Sequence, residues 1–511
     1  MSSAVAPAVR PPNILVFLVD DMGWQDTSVP FHAQETPLNR RYHTPAMARL
    51  ASGGVKFTQA YCACVCSPSR VSLLTGLNAA RHRVTNWTMH RDRATDAKHA
   101  VIVPPEWNVN GISLDPATPR AVCAPTLPGL LRRVGYRTIH VGKAHFGAED
   151  TPGADPLNLG FDVNVAGHAA GGPGSYLSEQ GFSGVWRKAD RYWDIPGLDK
   201  YHGTGTFLTE ALTREALAEM DRAVRDQCPF FLYMSHYAVH VPFAPDPRFI
   251  QRYRDAGLDE TEAQYAALIE GMDKSLGDLL DALDRHGIGD NTLVLFLSDN
   301  GGLSAHGRGG PPHTHNAPLS SGKGSAHEGG IRVPMLVRWP GVTAPASVCD
   351  HYTTVEDILP TLLEVGGAAG RLAVLPPGDG RSLVPLLRRA DAAWPAARPL
   401  FWHYPNIWGP TGPGLGPFSA IRAGAWKLID YHADRRFELF NVVEDISETT
   451  NRLSDSPATA RALAEQLSDW FRQVGAQMPG DRTTGHLVPL PDAALAAAAG
   501  GGAPGRPTRI A

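Results

Sequence analysis

Uninterrupted apolar runs are the feature that most constrains what this chain can fold into. The run N-I-L-V-F-L-V occupies Asn13–Val19, F-F-L-Y-M-S occupies 230–235, and T-L-V-L-F-L-S occupies 292–298. Runs without alternating polar residues, rich in β-branched side chains, predict strands that are buried on both faces. Such strands are typical of a parallel sheet that is covered by helices on either side.

Helical patterns separate these runs. Amphipathic segments at 127–134, 210–225 and 265–286 are each followed by a Gly or a Pro and then by a strand pattern. Alternation of helix and strand predicts an α/β fold with a mainly parallel sheet flanked by helices. Short strand patterns at 418–431 and 436–441 precede a further helical segment and predict an antiparallel sheet in a smaller α+β domain.

The length of 511 residues exceeds what one hydrophobic core usually holds. We expect a main domain over 1–380, the C-terminal α+β domain over 381–485, and a low-complexity, mobile tail over 486–511. The stretch 148–206 is rich in Gly, Asp and aromatic residues with little periodicity, which predicts a long loop region.

Composition and charge exclude several classes of protein. The net charge of −4 gives no basic surface for nucleic acid. No apolar stretch approaches the roughly 20 residues of a membrane span. The N-terminus shows no signal-peptide core, so the chain as numbered is expected to be cytoplasmic, with a periplasmic or secreted protein as the alternative.

Acidic and amide side chains follow two of the predicted strands. Asp20 and Asp21 come directly after the first strand, and Asp299 and Asn300 come after the strand that ends at Ser298. Ligands of parallel sheets bind beyond the carboxyl ends of the strands. Oxygen ligands converging there favour a hard cation, Ca²⁺ or Mg²⁺. Taken alone, each pair is also ordinary turn chemistry.

The cysteines are distributed unevenly, with Cys62, Cys64 and Cys66 within five residues. This spacing is not that of a disulfide framework, and C-x-C-x-C lacks the usual spacer of a zinc site. A role as small buried hydrophobes suits Cys123 and Cys228. It does not account for the residues that follow Cys66.

Cys66 begins the segment C-S-P-S-R-V-S-L-L-T-G. This segment resembles the sulfatase signature C-x-P-S-R-x-x-L-x-T-G at every fixed position. Five other segments resemble sulfatase motifs in the family's order: N-I-L-V-F-L-V-D-D-M-G-W, G-K-A-H-F-G with Ala144 in place of the usual Trp, Y-A-V-H-V-P-F, S-D-N-G-G and G-K-G-S-A-H-E-G-G-I-R-V-P. The resemblance implies an alkaline-phosphatase-like fold and hydrolysis of sulfate esters.

In this family a separate formylglycine-generating enzyme oxidises the cysteine to formylglycine, whose hydrate is the nucleophile. The resemblance implies that Ca²⁺, less readily Mg²⁺, is bound by residue 66 together with the strand-end side chains Asp20, Asp21, Asp299 and Asn300. A Cys66 thiolate would be a poor ligand for this hard ion, whereas a gem-diol oxygen is suitable.

The same resemblance implies roles for the remaining site residues. Arg70 would hold the diol and offset charge. Lys143, His240 and Lys323 would bind sulfate oxygens and stabilise the charge that develops in the transition state. His145 would hydrogen-bond the diol and help to expel sulfate by taking its other proton. His240 or Lys323 would protonate the leaving alcohol.

Substrate recognition is expected from aromatic and His-containing loops. The segment W-H-Y-P-N-I-W at 402–408 suits contact with a sugar ring, and His403 is predicted to bind substrate. The alternative for this segment is packing at the junction between the domains. The segment 167–176 is a second candidate for the rim of the substrate-binding site. Further candidates for the mouth of the site are His306, His313 and His315. We expect a sulfated small molecule or, more specifically, a carbohydrate sulfate.

Two alternatives remain open. A phosphodiesterase or phosphonate monoester hydrolase of the same superfamily would use a similar site. A catalytically inactive binding protein would need a broken motif, and none of the central positions is broken.

Overall fold

The computed structural model describes residues 11–184, 190–370, 378–396 and 398–500. Its centre is a nine-stranded sheet in the described part of the chain. From one edge to the other the strands are Ser347–Cys349, Val55–Tyr61, Arg332–Arg338, Thr292–Ser298, Asn13–Val19, Phe230–Ser235, Arg137–Gly142 and Val163–Val165, with Thr353–Thr354 also paired to Val55–Tyr61.

The centre of the sheet is parallel. Asn13–Val19 pairs in parallel with Phe230–Ser235 on one side and with Thr292–Ser298 on the other. Arg332–Arg338 is antiparallel to both of its neighbours. The prediction of a mainly parallel sheet is therefore confirmed, and the carboxyl ends of its central strands lie at one edge.

Helices cover both faces of the sheet. The helices of the described residues are Pro37–Arg41, Pro45–Ser52, Cys66–Thr75, Ala79–His82, Leu127–Arg132, Leu208–Arg225, Ile250–Asp255, Glu260–Arg285, Glu328–Ile331, Ile358–Val365, Val384–Arg388, Pro457–Val474 and Pro491–Gly500.

Alternate side chains of the first strand enter two different cores because successive residues of a strand point to opposite faces. Leu15 and Phe17 pack in the cluster that includes Leu208–Arg225 and Glu260–Arg285. Ile14 and Val16, on the other face, pack with Ile358–Val365 and Leu127–Arg132, among others. Every residue of this strand is buried, which explains its uninterrupted apolar sequence.

The C-terminal part contains the expected antiparallel sheet. Its strands, in spatial and chain order, are Leu400–Tyr404, Phe418–Ala423, Trp426–Tyr431 and Arg436–Asn441. Helix Pro457–Val474 packs on this sheet through Leu463, Leu467 and Phe471. The segment predicted as strands over 418–431 is two strands joined by a turn.

The structure differs from the expected low-complexity tail over 486–511. His486–Leu487 forms a strand pair with Gly480–Asp481, and Pro491–Gly500 is a helix. Ala and Leu are strong helix formers, Leu495 is buried in the C-terminal core, and the Asp492 carboxylate accepts a 2.6 Å hydrogen bond from Arg472. Residues 501–511 lie outside the described residues.

The expected long loop region over 148–206 is broken up in its described residues by short 3₁₀ turns and by the edge strand Val163–Val165. Among the described helices, none combines the length and the apolar character that a bilayer span requires.

A buried charge cluster joins the C-terminal sheet to the main sheet. The Lys427 ammonium lies 2.9 Å from Glu328 and 2.5 Å from Glu448, and all three side chains are fully buried. Glu328 also accepts a 2.6 Å hydrogen bond from the Tyr61 hydroxyl. Burial alone would raise the pKa of Glu328, but Lys427 and the neighbouring Arg332 hold it well below its ordinary value. Lys427 therefore ties two parts of the chain together through paired charge.

We predict that Lys427→Met lowers the free energy of unfolding by about 3–5 kcal/mol, because it leaves the buried Glu448 carboxylate without its lysine partner and removes one of the cations that stabilise Glu328. Lys274→Met is the matched control, since Lys274 pairs with Asp278 on an exposed helix face. The control should change stability by no more than about 0.5 kcal/mol. Urea unfolding followed by circular dichroism measures both, and equal effects would contradict the assignment.

Candidate active site

Two strand ends bring four oxygen-bearing side chains together. Asp20 and Asp21 follow Asn13–Val19, and Asp299 and Asn300 follow the adjacent parallel strand. The backbone N–H of Asp21 donates a 3.2 Å hydrogen bond to Asp299 Oδ1, and Asn300 Nδ2 donates a 2.8 Å bond to Asp21 Oδ1. Asp21 has a left-handed backbone, with φ of 59°, which is rare for a residue other than Gly. The structure thus places these side chains beside one another.

Helix Cys66–Thr75 carries Cys66 and Arg70 into the same place. All ten of its residues are buried. Arg70, one turn after Cys66, donates from Nε to Asp299 Oδ2 at 2.8 Å and from Nη1 to Ser235 Oγ at 2.7 Å. A third hydrogen bond, of 3.0 Å, goes from Nη1 to the carbonyl of Lys143. The guanidinium therefore fixes three separate segments around position 66.

The side chains fit an oxygen-ligated cation. One ligand atom each from Asp20, Cys66 and Asp299 lie within 4.8 Å of one another. Among the described residues, Asp20 Oδ1 and Asn300 Oδ1 are buried oxygens without a hydrogen-bond partner. Buried polar atoms are almost always satisfied, so these two oxygens are suited to a ligand. Carboxylate and amide oxygens are the donors that Ca²⁺ and Mg²⁺ prefer.

Two buried lysines neutralise the carboxylates. The Lys143 ammonium lies 2.6 Å from Asp20 Oδ2, and the Lys323 ammonium lies 2.6 Å from Asp21 Oδ1 and 2.8 Å from Oδ2. Burial raises the pKa of Asp20, and Lys143 opposes that rise. Burial acts on Asp21 in the same direction, but Lys323 and His240 hold the pKa of Asp21 well below its ordinary value.

Position 66 is not a reactive thiol. Burial raises the pKa of the Cys66 thiol, and the Lys143 and Lys323 ammonium groups offset that rise only in part. A nucleophilic cysteine requires a lowered pKa and access to solvent. As cysteine, this residue is therefore protonated at neutral pH.

His145 is positioned as a neutral base. Its Nε2 lies 2.9 Å from the Thr88 carbonyl, which only accepts, so the ring proton is on Nε2. Nδ1 is then an acceptor, and it is buried without a partner among the described residues. Burial, reinforced by Lys143, lowers the pKa of His145 well below its ordinary value. Gly171 packs so closely on the ring that a Cβ there would lie 2.5 Å from Cε1.

His240 faces the site from the loop that follows Phe230–Ser235. Its Nδ1 lies 2.7 Å from the Val241 carbonyl and its Nε2 lies 3.8 Å from Asp21 Oδ2. The neutral ring therefore carries its proton on Nδ1. Burial lowers the pKa of His240, with Lys323 acting in the same direction and Asp21 against it.

A pocket of about 190 Å³ opens directly above these groups. Its inner end is polar and its outer part is aromatic and apolar. The lining residues are Asp21, Cys66, Trp87, Thr88, Met89, His145, Gly171, Tyr192, Trp193, His240, Val241, Leu303, His306, Lys323 and Trp408. Lys143 is fully buried and reaches the cluster from beneath the pocket, through Asp20.

The structure does not bring His403 into this pocket. The ring is buried, with Nδ1 3.0 Å from Ser419 Oγ and Nε2 3.0 Å from the Gln477 carbonyl, and it packs against Phe471. It lies on strand Leu400–Tyr404 beneath helix Pro457–Val474. These contacts lie within the C-terminal domain, so His403 packs in the interior of that domain, and we do not carry the residue forward as a substrate contact.

Of the other loop residues predicted to line the mouth of the site, some lie in the pocket and some do not. His306, Trp408 and Gly171 line the pocket, whereas His315 is held inside its own loop by Ser304 Oγ at 2.9 Å and the Gly309 carbonyl at 2.7 Å. His313 is not among the lining residues.

Sequence reasoning missed the lining residues Trp87, Thr88 and Met89. These residues follow the helix Ala79–His82 in a segment without periodicity. The available signal was their position about 20 residues after Cys66, with one large aromatic side chain in an otherwise polar stretch.

Comparisons with known proteins identify the family of this chain. A family model described as Sulfatase matches residues 12–368, and one described as N-sulphoglucosamine sulphohydrolase, C-terminal, matches 322–477. A protein named Sulfatase from Formosa agariphila is 31% identical over 504 residues, covering 88% of this chain and 86% of its own length. N-acetylgalactosamine-6-sulfatase of Homo sapiens is 31% identical over 413 residues, covering 79% and 70%.

Solved structures show the same fold. The crystal structure of Ps i-CgsB in complex with k-i-k-neocarrahexaose has a TM-score of 0.71 and 26% identity, covering 90% of this chain and 93% of its own. The phosphonate monoester hydrolase of Agrobacterium radiobacter has a TM-score of 0.57 at 20% identity, covering 91% and 96%, and shows the fold alone. The alkaline-phosphatase-like fold and the family matches define an enzyme that hydrolyses sulfate esters. The chain belongs to the sulfatase family.

We predict that Arg70→Lys lowers kcat by about 10²-fold, because an ammonium cannot reproduce the three-way guanidinium contact that positions Asp299 and residue 66. Arg254→Lys is the control, since Arg254 makes a comparable two-bond contact with Glu260 at the surface. Steady-state rates on an aryl sulfate measure both variants. Retention of wild-type kcat in Arg70→Lys would contradict the positioning role.

Proposed function

We propose that this enzyme hydrolyses carbohydrate sulfates at the pocket above Cys66, with Cys66 converted to formylglycine and with Ca²⁺ bound at the strand-end acids. The observation that carries the proposal is the position of Cys66 within 4.8 Å of ligand atoms of Asp20 and Asp299. The carbohydrate assignment rests on relatives whose names specify N-acetylgalactosamine 6-sulfate and on the neocarrahexaose complex of Ps i-CgsB.

Conversion of Cys66 to formylglycine would give residue 66 an oxygen that can act as a nucleophile and as a ligand for a hard cation. A buried thiol with a raised pKa is neither a good nucleophile nor a ligand for a hard cation. Formylglycine would supply a hydrated aldehyde, an oxygen nucleophile that can be released again as the aldehyde. A formylglycine-generating enzyme would be the transient partner in maturation. The match to the sulfatase signature from Cys66 to Gly76 supports this modification.

Asp20, Asp21, Asp299 and Asn300 would hold Ca²⁺ together with residue 66. The ion would supply Lewis-acid stabilisation of the nucleophile and of a sulfate oxygen. The two unpartnered oxygens, on Asp20 and Asn300, support this assignment. Mg²⁺ is the less favoured ion because it demands a stricter octahedral geometry than a set of clustered carboxylates readily provides.

The Lys323 and Lys143 ammonium groups would bind the sulfate group, with the neutral His240 ring beside them. Lys323 and His240 line the pocket beside residue 66, and Lys143 adds positive charge from beneath. Fixed positive groups in a site with little water stabilise the charge that develops on sulfate oxygens in the transition state. Arg70 keeps its guanidinium on Asp299 and thereby holds the helix that carries residue 66.

Proton transfer would be divided between two sides of the site. His145 Nδ1, an unpartnered acceptor, would take a proton from the residue-66 side when sulfate leaves. On the leaving-group side, the neutral His240 ring has no proton at Nε2, whereas Lys323 is an ammonium. The hydrogen-bond pattern therefore favours Lys323 over His240 as the group that protonates the alcohol.

Activity toward sulfate esters and phosphate esters tests the substrate class. The enzyme should hydrolyse 4-nitrophenyl sulfate with a higher kcat/KM than 4-nitrophenyl phosphate or a phosphonate monoester. The tryptic peptide 57–70 of active protein should carry formylglycine at position 66, seen as a lower mass because oxygen replaces sulfur and two hydrogens are lost. Cys64, in the same peptide, is the internal control and should remain an alkylatable thiol.

Cys66→Ser should abolish turnover, because a serine sulfate ester cannot release its sulfate by reverting to a carbonyl. A fully active Cys66→Ser variant, or an active wild-type enzyme with a free thiol at position 66, would overturn the proposed nucleophile. A higher efficiency on phosphate esters would instead favour the phosphodiesterase alternative.

Calcium removal should reduce both activity and stability. Treatment with EGTA should lower the melting temperature, because an ion bound only by the folded state stabilises it by mass action. Added Ca²⁺ should restore activity at lower concentration than Mg²⁺. Asn300→Leu, which keeps the branched shape but removes the unpartnered oxygen, should weaken Ca²⁺ binding in calorimetric titrations. Unchanged Ca²⁺ affinity in this variant would exclude Asn300 as a ligand.

A further inference from the structure

The outer half of the pocket has a chemistry that the sulfate-binding end does not explain. Trp87 and Trp408 meet edge to face, with ring centroids 6.4 Å apart and an interplanar angle of 76°. His306 lies 5.4 Å from the Trp408 ring. Both tryptophans are only partly buried, so part of each indole faces the pocket. Together they form a corner, which we call the tryptophan corner (Trp87 and Trp408).

The tryptophan corner is built from two distant parts of the chain. Trp408 belongs to the loop after strand Leu400–Tyr404 of the C-terminal sheet, and Trp87 belongs to the main domain. Asp96 joins the two loops: its carboxylate accepts from Asn406 Nδ2 at 3.0 Å and from the backbone N–H of Ile407 at 2.9 Å. The Trp87 carbonyl accepts a 2.8 Å bond from Thr95, the residue before Asp96.

Trp408 is also seated directly on the turn that carries Lys323. A Cβ at Gly324 would lie 2.3 Å from Cε3 of Trp408, so the indole contacts the backbone at this position. Gly324 has φ of 83°, which a side chain would also oppose. The indole of Trp408 is therefore fixed next to Lys323. A different side-chain conformation of Trp408 would lose the contact with the Gly324 backbone.

We propose that the tryptophan corner is the subsite for the ring that carries the sulfate ester, and that Trp408 is a specificity-determining residue. This inference rests on the proposed function. With sulfate at Lys323 and residue 66, the alcohol portion of the substrate projects into the outer pocket. Two indoles there favour a six-membered ring with an apolar face, as in a pyranose or an aryl group. The volume of about 190 Å³ is large enough to hold one such ring.

The test compares Trp408→Ala with wild type on three sulfate esters: a monosaccharide 6-sulfate, 4-nitrophenyl sulfate and an open-chain alkyl sulfate. The variant should lose about 10-fold in kcat/KM on a ring substrate and keep its value on the alkyl sulfate. Loss on the monosaccharide identifies a sugar subsite, and loss on the aryl ester alone identifies an aryl subsite. Trp408→Phe, which retains a ring, should recover most of the loss.

Two controls separate the subsite from a structural effect. Trp470→Phe alters a tryptophan of helix Pro457–Val474 that stacks on Phe401, with ring centroids 4.1 Å apart, and this variant should leave substrate selectivity unchanged. Inhibition by inorganic sulfate reports the anion end alone and should be the same in wild type and Trp408→Ala. Equal losses on ring and alkyl substrates, or no loss at all, would overturn the subsite. An inactive wild-type enzyme on every sulfate ester would instead refute the proposed function.

Discussion

Neutralisation of buried negative charge is the constraint on which the site depends. Asp20, Asp21 and Asp299 lie within one small, dehydrated cluster, where uncompensated carboxylates would be strongly destabilising. Each carboxylate has its own cationic partner, namely Lys143, Lys323 and Arg70 respectively. Because these partners come from different segments, the cluster forms only when the strands and the buried helix are in place. Two of these cations, Lys143 and Lys323, are also those proposed to receive an anionic substrate.

The C-terminal sheet is part of the site as well as part of the scaffold. Lys427 of this sheet forms an ion pair with Glu328, which lies five residues after Lys323 in the chain. The loop after the first strand of the sheet supplies Trp408 to the wall of the pocket. Ser325 and Ala326, between these points, also hydrogen-bond to the loop that follows Trp408. The segment that follows Lys323 is therefore held by hydrogen bonds and paired charge from the C-terminal part of the chain.

The sequence predicted those features that local physics determines. The apolar run Asn13–Val19 is a strand because both of its faces are buried, and the acids after it meet Asp299 because parallel strand ends share an edge. The position of His403 was not predictable in this way, since its burial depends on where helix Pro457–Val474 packs. Nor was Trp87, whose segment has no periodicity and whose position follows from contacts around Asp96. The local sequence pattern therefore predicts the helices, the strands and the residues at strand ends. The walls of the pocket depend on contacts between residues that are distant in the chain.

The burial of the helix Cys66–Thr75 has a consequence for how the enzyme is made. Every residue of this helix is covered by the folded chain, including position 66. A formylglycine-generating enzyme that must bind the residues around Cys66 cannot reach this helix in the folded protein. If residue 66 is oxidised as proposed, the oxidation has to occur on the nascent or unfolded polypeptide. The timing of biosynthesis, as much as the arrangement of the charges, then decides what fraction of the molecules can ever turn over substrate.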